Sequence, residues 1–439
     1  MRPAAYRQCD LMDASADSSW FRNSARPASH TDAVKSARRR MGELGVGPTG
    51  ASRNLREHRA VFDDPVPVLK PNPAMKWPMD SDEKPPFEPP WPSAAERTRM
   101  REESSSRHPE SPLGPLAQAW VDELQDWYRR LQSHFGFDPT DLPANLRRNV
   151  HKWRRRIAFL KESHPGLHDL IISNIINGHK IPFEKVPAKF FRSRNPPSLA
   201  ADAERAWAAI QKDLRHGALE PVNLQRDGVP HCVCPVRTAD KNDGSARFVH
   251  NSRRVNKCIP REEVQCKLES LLRARNMFIP EGFLVGSDFA SGYHCIGMDP
   301  DDSKFLSFAL SVDEIPPEAV EWLHKHHPHS FLRKRRCFVF RYKALPFGLA
   351  SSCRTFNDLV SALMGAWRRW PIDGQPTRVS SYIDDVLAVT RSFDTVRIHS
   401  RGCVDAAISR RIPMRQAMKL AIRMVFEAAS LGLSLKIEK

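Results

Sequence analysis

The chain has 439 residues, with 68 Lys+Arg against 51 Asp+Glu and a formal net charge of +17. That length holds two ordinary domains, or one with long extensions. The basic excess favours a polyanionic partner, most often nucleic acid, although a basic tail on an unrelated enzyme gives the same total. Nine cysteines without a repeated spacing argue against a disulfide framework and for a reducing compartment. With no apolar core near the N-terminus and no run of about 18 apolar residues, neither secretion nor a membrane span is expected.

Residues 1–115 carry sixteen of the 36 prolines, among Ser- and Arg-rich stretches such as Lys84-Pro85-Pro86-Phe87-Glu88-Pro89-Pro90. Such a composition buries too little apolar surface to offset chain entropy, so a disordered arm is expected. From Leu116 the period becomes helical, with Trp120, Leu124, Trp127, Leu131 and Phe135 on one face. The basic run Arg147-Arg148 and Lys152-Trp153-Arg154-Arg155-Arg156 suits either backbone-plus-stacking contact with nucleic acid or a solvated helix face. Gly, Pro and Asn breaks make residues 164–200 a locally packed linker that closes a helical module over 116–200. A helix at about Leu199–His216 follows, with Trp207, Ile210 and Leu214 inward and Gly217 as its stop.

Strands are expected at His231–Arg237, Ala246–His250, Gly282–Asp288, Lys304–Leu310 and Cys337–Tyr342. Helices are expected at Ser352–Met364 and Pro413–Leu431. The mixture lacks strict βαβ alternation, which favours an α+β fold. His231-Cys232-Val233-Cys234 has no second ligand pair at zinc-site spacing, so buried strand cysteines are the better reading.

Four stretches carry chemistry. In Lys241–Asn256 (KNDGSARFVHNSRRVN), Lys241 and Arg247 flank a turn and suit phosphate binding or a solvated hairpin. In Gly282–Leu310 a strand-like run leads to Asp288, an acid that is costly at a buried strand end unless paired or metal-bound. In Tyr342–Phe356 (YKALPFGLASSCRTF) a turn exposes backbone at Gly348 before a helix, with Ser351-Ser352 as its cap. In Arg378–Thr390 (RVSSYIDDVLAVT) two apolar runs flank Asp384 and Asp385, a hairpin with adjacent acids at its tip. A solvated turn accounts for that pair on its own. With Asp288 on a neighbouring strand, the three carboxylates form the all-oxygen set that Mg²⁺ prefers.

In this order and spacing, the stretches resemble the reverse transcriptases, the RNA-directed DNA polymerases of retroelements, from about Ala206 to the last residue. KNDGSAR and RRVN are similar to the fingers hairpin, SDFASGYH to the first palm motif, LPFGLASS to the second, YIDD to the third and LGLSLKIEK to the fourth. LPFGL and the upstream HDLIISNIINGHKIPF resemble the retrotransposon, DIRS-like side of the family. The resemblance implies a right-hand polymerase, with fingers and palm over 201–439 and an antiparallel palm sheet bearing the acids. It implies two Mg²⁺ ions, or Mn²⁺, on Asp288, Asp384 and Asp385, and Lys439 as the acid that protonates pyrophosphate. Lys241 and Arg247 would meet the triphosphate, Phe347 and Gly348 would line the nucleotide pocket, and Tyr293 would reject a 2′-OH.

The implied partners are an RNA template, a DNA primer or RNA–DNA hybrid, and dNTPs, with RNase H, recombinase or integrase as neighbouring polyprotein domains. The implied compartment is cytoplasm or nucleus. The sequence departs from the family at Asn251, where Asp is common, and at Cys295, where Gln is common. The joins Ser311–Arg336 and Arg391–Met414 are longer than usual and read as insertions, and no thumb or RNase H segment is expected within the chain. A truncated, inactive relic that only binds nucleic acid is therefore the competing expectation, and an RNA-synthesising polymerase is disfavoured by Tyr293.

Overall fold

The computed structural model describes residues 85–105, 114–192, 194–240, 245–266, 268, 284–369, 371–372, 375–376, 378–389 and 411–437. Most of the N-terminal arm, Lys241, the bulk of Arg391–Met414 and Lys439 lie outside the described residues. Inside the stretch expected to be disordered there is a helix, α1 (Ala94–Ser105). Ser93 and Glu96 exchange backbone hydrogen bonds as a capping box at its start, and Met100 is buried where α1 packs on the next helix. That helix, α2 (Pro115–His134), buries Trp120, Leu124, Trp127 and Leu131 as their spacing predicts. Phe135 becomes its half-buried C-cap.

Helices α3 (Leu142–Arg148) and α4 (Val150–Arg156) carry the basic run. Trp153 is fully buried and its indole N–H donates to the Leu431 carbonyl at 3.0 Å. Its ring cannot stack on a base, which corrects that expectation. Arg147, Arg148, Arg154 and Arg155 stay exposed, while Arg156 forms a nearly buried ion pair with Glu427. A helix also replaces much of the expected linker: α5 (Pro165–Asn177) buries Ile171, Ile172 and Ile175, with Pro165 at its first turn and Gly178 (φ +85°) at its end. The helix expected at 199–216 is two, Pro197–Ala201 and α6 (Ala203–Arg215), with Asp202 between them. In α6 the inward residues are Ala206, Trp207, Ile210 and Asp213, while Leu214 is half-exposed. Asp213 takes that place because His294 faces it, Nδ1 to Oδ1 3.5 Å.

The strands sort into two main sheets. The larger has β1 (Phe190–Phe191), β2 (Leu219–Pro221), β3 (Cys232–Cys234), β7 (Ser307–Ser311), β8 (Phe331–Leu332) and β9 (Cys337–Tyr342), in the order β1-β3-β7-β9-β2 with β8 on β9. It is a mixed sheet, parallel at β1–β3 and β3–β7 and antiparallel at β7–β9. Pro235 lacks an N–H and splits the expected strand 231–237. β3 stays in this sheet, whereas β4 (Val236–Asp240) forms a hairpin with β5 (Ala246–His250). Cys232 and Cys234 are fully buried strand cysteines, and burial pushes both thiols up to about 12. The segment Ser311–Arg336 folds into the sheet's surroundings. Ser311 and Glu314 form a capping box, α7 (Pro317–His326) buries Ala319 and Leu323, and β8 pairs with β9.

Strands β10 (Pro371–Ile372) and β11 (Gln375–Pro376) form a short ribbon of their own. The second sheet has the order β12-β13-β6-β14, from β6 (Leu284–Phe289), β12 (Arg378–Tyr382), β13 (Asp385–Val389) and β14 (Leu435–Ile437), with every pairing antiparallel. Helices α8 (Ala350–Arg368) and α9 (Arg411–Leu431) pack against it. The N-terminal helices are built onto this layer. The Tyr128 hydroxyl donates to the Leu433 carbonyl and accepts the Leu435 N–H at 2.8 Å, and Lys152 donates to the Ser430 carbonyl. Together they fix the turn that feeds β14 into the sheet. No helix among the described residues is long and apolar enough to cross a membrane.

Candidate metal centre

The hairpin β12–β13 closes with Tyr382 opposite Asp385, leaving Ile383 and Asp384 as a two-residue turn. Ile383 has φ +59°, a region that β-branched residues rarely enter, so the turn is held under strain by its surroundings. The Asp384 carbonyl accepts the Phe289 N–H at 3.0 Å, tying the turn to the end of β6. Asp385 stands directly opposite Asp288 in the β13–β6 register. Along β6, Val285, Ser287 and Phe289 are buried, whereas Gly286 and Asp288 alternate onto the more open face.

Carboxylate oxygens of Asp288, Asp384 and Asp385 lie within 4.8 Å of one another, with the first two half-buried and the third exposed. Three like charges at that separation repel one another, and a cation among them would offset that repulsion. The donor set is all oxygen and open on one side, which fits a hard divalent ion such as Mg²⁺. On the other side of β6, Lys436 pairs in register with Asp288, a placement the sequence reading missed.

Beyond β6 the chain turns through Ser291 (φ +55°) into a tight helical turn, Gly292–Cys295. A Cβ at Gly292 would meet the tip of the Phe356 ring, so glycine is needed there. Tyr293 is buried, its ring 5.0 Å from Phe347 and 5.4 Å from Phe356. Its hydroxyl hydrogen-bonds the Cys353 sulfur, and burial followed by the nearby charge of Cys353 drives the phenol well above its ordinary value. The Arg247 guanidinium lies over the Phe347 ring at 5.0 Å. Arg247, Phe347 and Tyr293 therefore form one continuous row.

That row depends on a backbone staple. The His250 N–H donates to the Phe347 carbonyl at 3.1 Å, and Gly348 (φ +111°) sits so close that a Cβ would overlap the His250 carbonyl. Gly348 is demanded first by β5. Asn256 completes the staple, donating to the Gly348 carbonyl at 2.9 Å and accepting the Ala350 N–H at 3.0 Å. Ser351 and Ser352 are not the cap of α8, which begins after Leu349 without a side-chain cap. Ser352 donates instead to the Pro346 carbonyl, and Ser351 pairs with the buried His179, whose other nitrogen meets Thr355. Burial pushes His179 and His250 down to about 4, so both are neutral near pH 7. His179 was invisible as a site residue because its partner lies 172 positions away.

No protein-family model and no curated protein sequence matches the chain. Among solved structures it is similar to the foamy viral protease-reverse transcriptase in complex with double-stranded DNA. There the identity is 18%, the TM-score 0.38, and the coverage 59% of this chain and 34% of that one. The selenomethionine-labelled CSH mutant of the prototype foamy virus enzyme gives 16% identity and TM-score 0.35, over 74% of this chain and 33% of that one. The RNA/DNA hybrid complex gives 17% and 0.33, over 49% and 23%. The chain thus spans about a third or less of the length of these proteins.

Proposed function

We propose that the chain is an RNA-directed DNA polymerase of a retroelement, with fingers and palm over residues 201–439 and the sheet β12-β13-β6-β14 as the palm. The observation that carries this reading is the convergence of Asp288, Asp384 and Asp385 at one end of two paired strands, beside the row Tyr293–Phe347–Arg247. When bound, two divalent ions would activate the primer 3′-OH and neutralise charge on the leaving pyrophosphate. Asp288 and Asp384 would hold them, and Asp385 would complete the acidic set. Arg247 and Lys241 orient the triphosphate, and Phe347 with Gly348 forms the wall of the nucleotide pocket. Tyr293, fixed by two aromatic neighbours, excludes a 2′-OH, and Lys439 supplies the proton to pyrophosphate. Catalysis is positioning plus charge neutralisation, with RNA template, DNA primer and dNTPs as partners.

Primer extension on an RNA template with dNTPs and Mg²⁺ or Mn²⁺, run beside Asp384→Asn, tests the reading. Extension by the parent chain and none by the variant is the expected result. Exchange of dNTP for NTP separates DNA from RNA synthesis. A second reading, a nucleic-acid binder without chemistry, is favoured by the exposed Arg147, Arg148, Arg154 and Arg155 on α3 and α4. It predicts that both chains retain hybrid and neither extends it.

A further inference from the structure

One group beside the site has no part in the proposed reaction. Cys266 and Cys353 are two half-exposed free thiols from segments 87 positions apart, and they meet at the first turns of α8. The Cys266 thiol donates to the Cys353 carbonyl oxygen at 3.9 Å, which sets it beside the Cys353 sulfur. The same Cys353 sulfur accepts the Tyr293 hydroxyl. Two polar groups thus lie beside one sulfur, and one of them belongs to the ring that borders the acidic cluster. Cys232, Cys234, Cys295 and Cys337, by contrast, are enclosed in the core.

We infer that Cys266 and Cys353 form a redox modification site, a dithiol that closes to a disulfide under a peroxide and thereby takes from Tyr293 its hydrogen-bond acceptor. The Tyr293 hydroxyl and the Cys266 thiol beside Cys353 favour its thiolate, the nucleophilic form. The thiolate attacks a peroxide oxygen, the O–O bond breaks, and a sulfenic acid forms at Cys353 with hydroxide as leaving group. The Cys266 sulfur then displaces that hydroxyl as water, giving the S–S bond; peroxide is reduced by two electrons and the two thiols are oxidised by two. A dithiol reductant reverses the step by exchange. The consequence for nucleotide choice rests on the polymerase reading, but the bond itself does not.

The test treats the full chain with hydrogen peroxide and maps disulfides by non-reducing peptide mass spectrometry, beside Cys266→Ser and Cys353→Ser. A Cys266–Cys353 linkage lighter by two hydrogens is expected, absent from both variants and removed by dithiothreitol. Linkage of either cysteine to another partner instead, or none while other thiols of the chain oxidise, would overturn the inference. Iodoacetamide labelling of the untreated chain gives a second readout that needs no variant, with Cys353 expected to react ahead of the enclosed cysteines. In primer extension, the preference for dNTP over NTP should fall at least about threefold on oxidation and recover on reduction. A bond that forms with that preference unchanged would sever the tie to Tyr293. A chain that forms the bond yet extends no primer in either state fails the polymerase reading and leaves this one standing.

Discussion

Asp384 sits with Asp288 and Asp385 inside a 4.8 Å cluster at a turn whose Ile383 is already in a strained conformation. Without a cation the sheet therefore carries both repulsion and strain. Asp384→Asn removes one charge, so the metal-free variant should melt about 2 °C higher than the parent. MnCl2, which should raise the parent's melting temperature, should have much less effect on the variant. Differential scanning fluorimetry with and without MnCl2 reads both effects; a melting curve equally raised by Mn²⁺ in both proteins would remove Asp384 from the ion's ligands. Acid sensitivity belongs to different residues. His179 and His250 have folded values of about 4, against about 6.5 when unfolded, because burial disfavours their charged form. Depressed histidines stabilise the fold above pH about 6.5, and that contribution fades as pH falls towards 4, when the unfolded chain binds protons that the folded one refuses. Urea unfolding across this window should lose up to about 3 kcal/mol for each histidine, and His250→Gln should flatten the slope.

At the scale of elements, the sequence showed what is periodic and missed what is brought together by packing. The β12–β13 hairpin was legible because its apolar runs alternate on both sides of Asp384-Asp385, and β5 and β9 because Gly and charged residues bound them. Trp153 was misread because an indole among arginines looks exposed; its burial is decided by α9, more than 250 positions away. The helix α5 was masked by breaks that lie at its ends. Tyr128 gave no signal beyond membership of a helix face, yet its hydroxyl satisfies a carbonyl and an N–H in the turn before β14. Tyr128→Phe keeps the ring and leaves the buried Leu435 N–H without its acceptor, a loss of about 1–3 kcal/mol. The urea midpoint should fall with an unchanged m-value. Because β14 lies next to β6, Mn²⁺ stabilisation should weaken in this variant too, whereas a purely local role for the hydroxyl would leave it intact.

For the whole molecule, charge separates binding from chemistry. The net +17 was legible at once, and the packing of α4 now assigns faces to it. Trp153 and Arg156 point into the protein, while Arg147 and Arg154 are exposed. A polyanion neutralised by such a surface releases counterions, so log Kd for an RNA–DNA hybrid should rise linearly with log [KCl]. Replacing Arg147 and Arg154 together by Gln should lower that slope by about 2 if each meets a phosphate, with little dependence on sequence. The acidic cluster plays the opposite part: it repels the backbone unless an ion is present, and it contributes no phosphate contact of its own. EDTA or Asp384→Asn should therefore leave the salt slope unchanged while stopping extension. Fluorescence anisotropy with a labelled hybrid, over a KCl series with and without EDTA, measures the two effects separately. A slope that collapses on chelation would mean that hybrid binding runs through the carboxylates, and the basic helices would then be solvated surface.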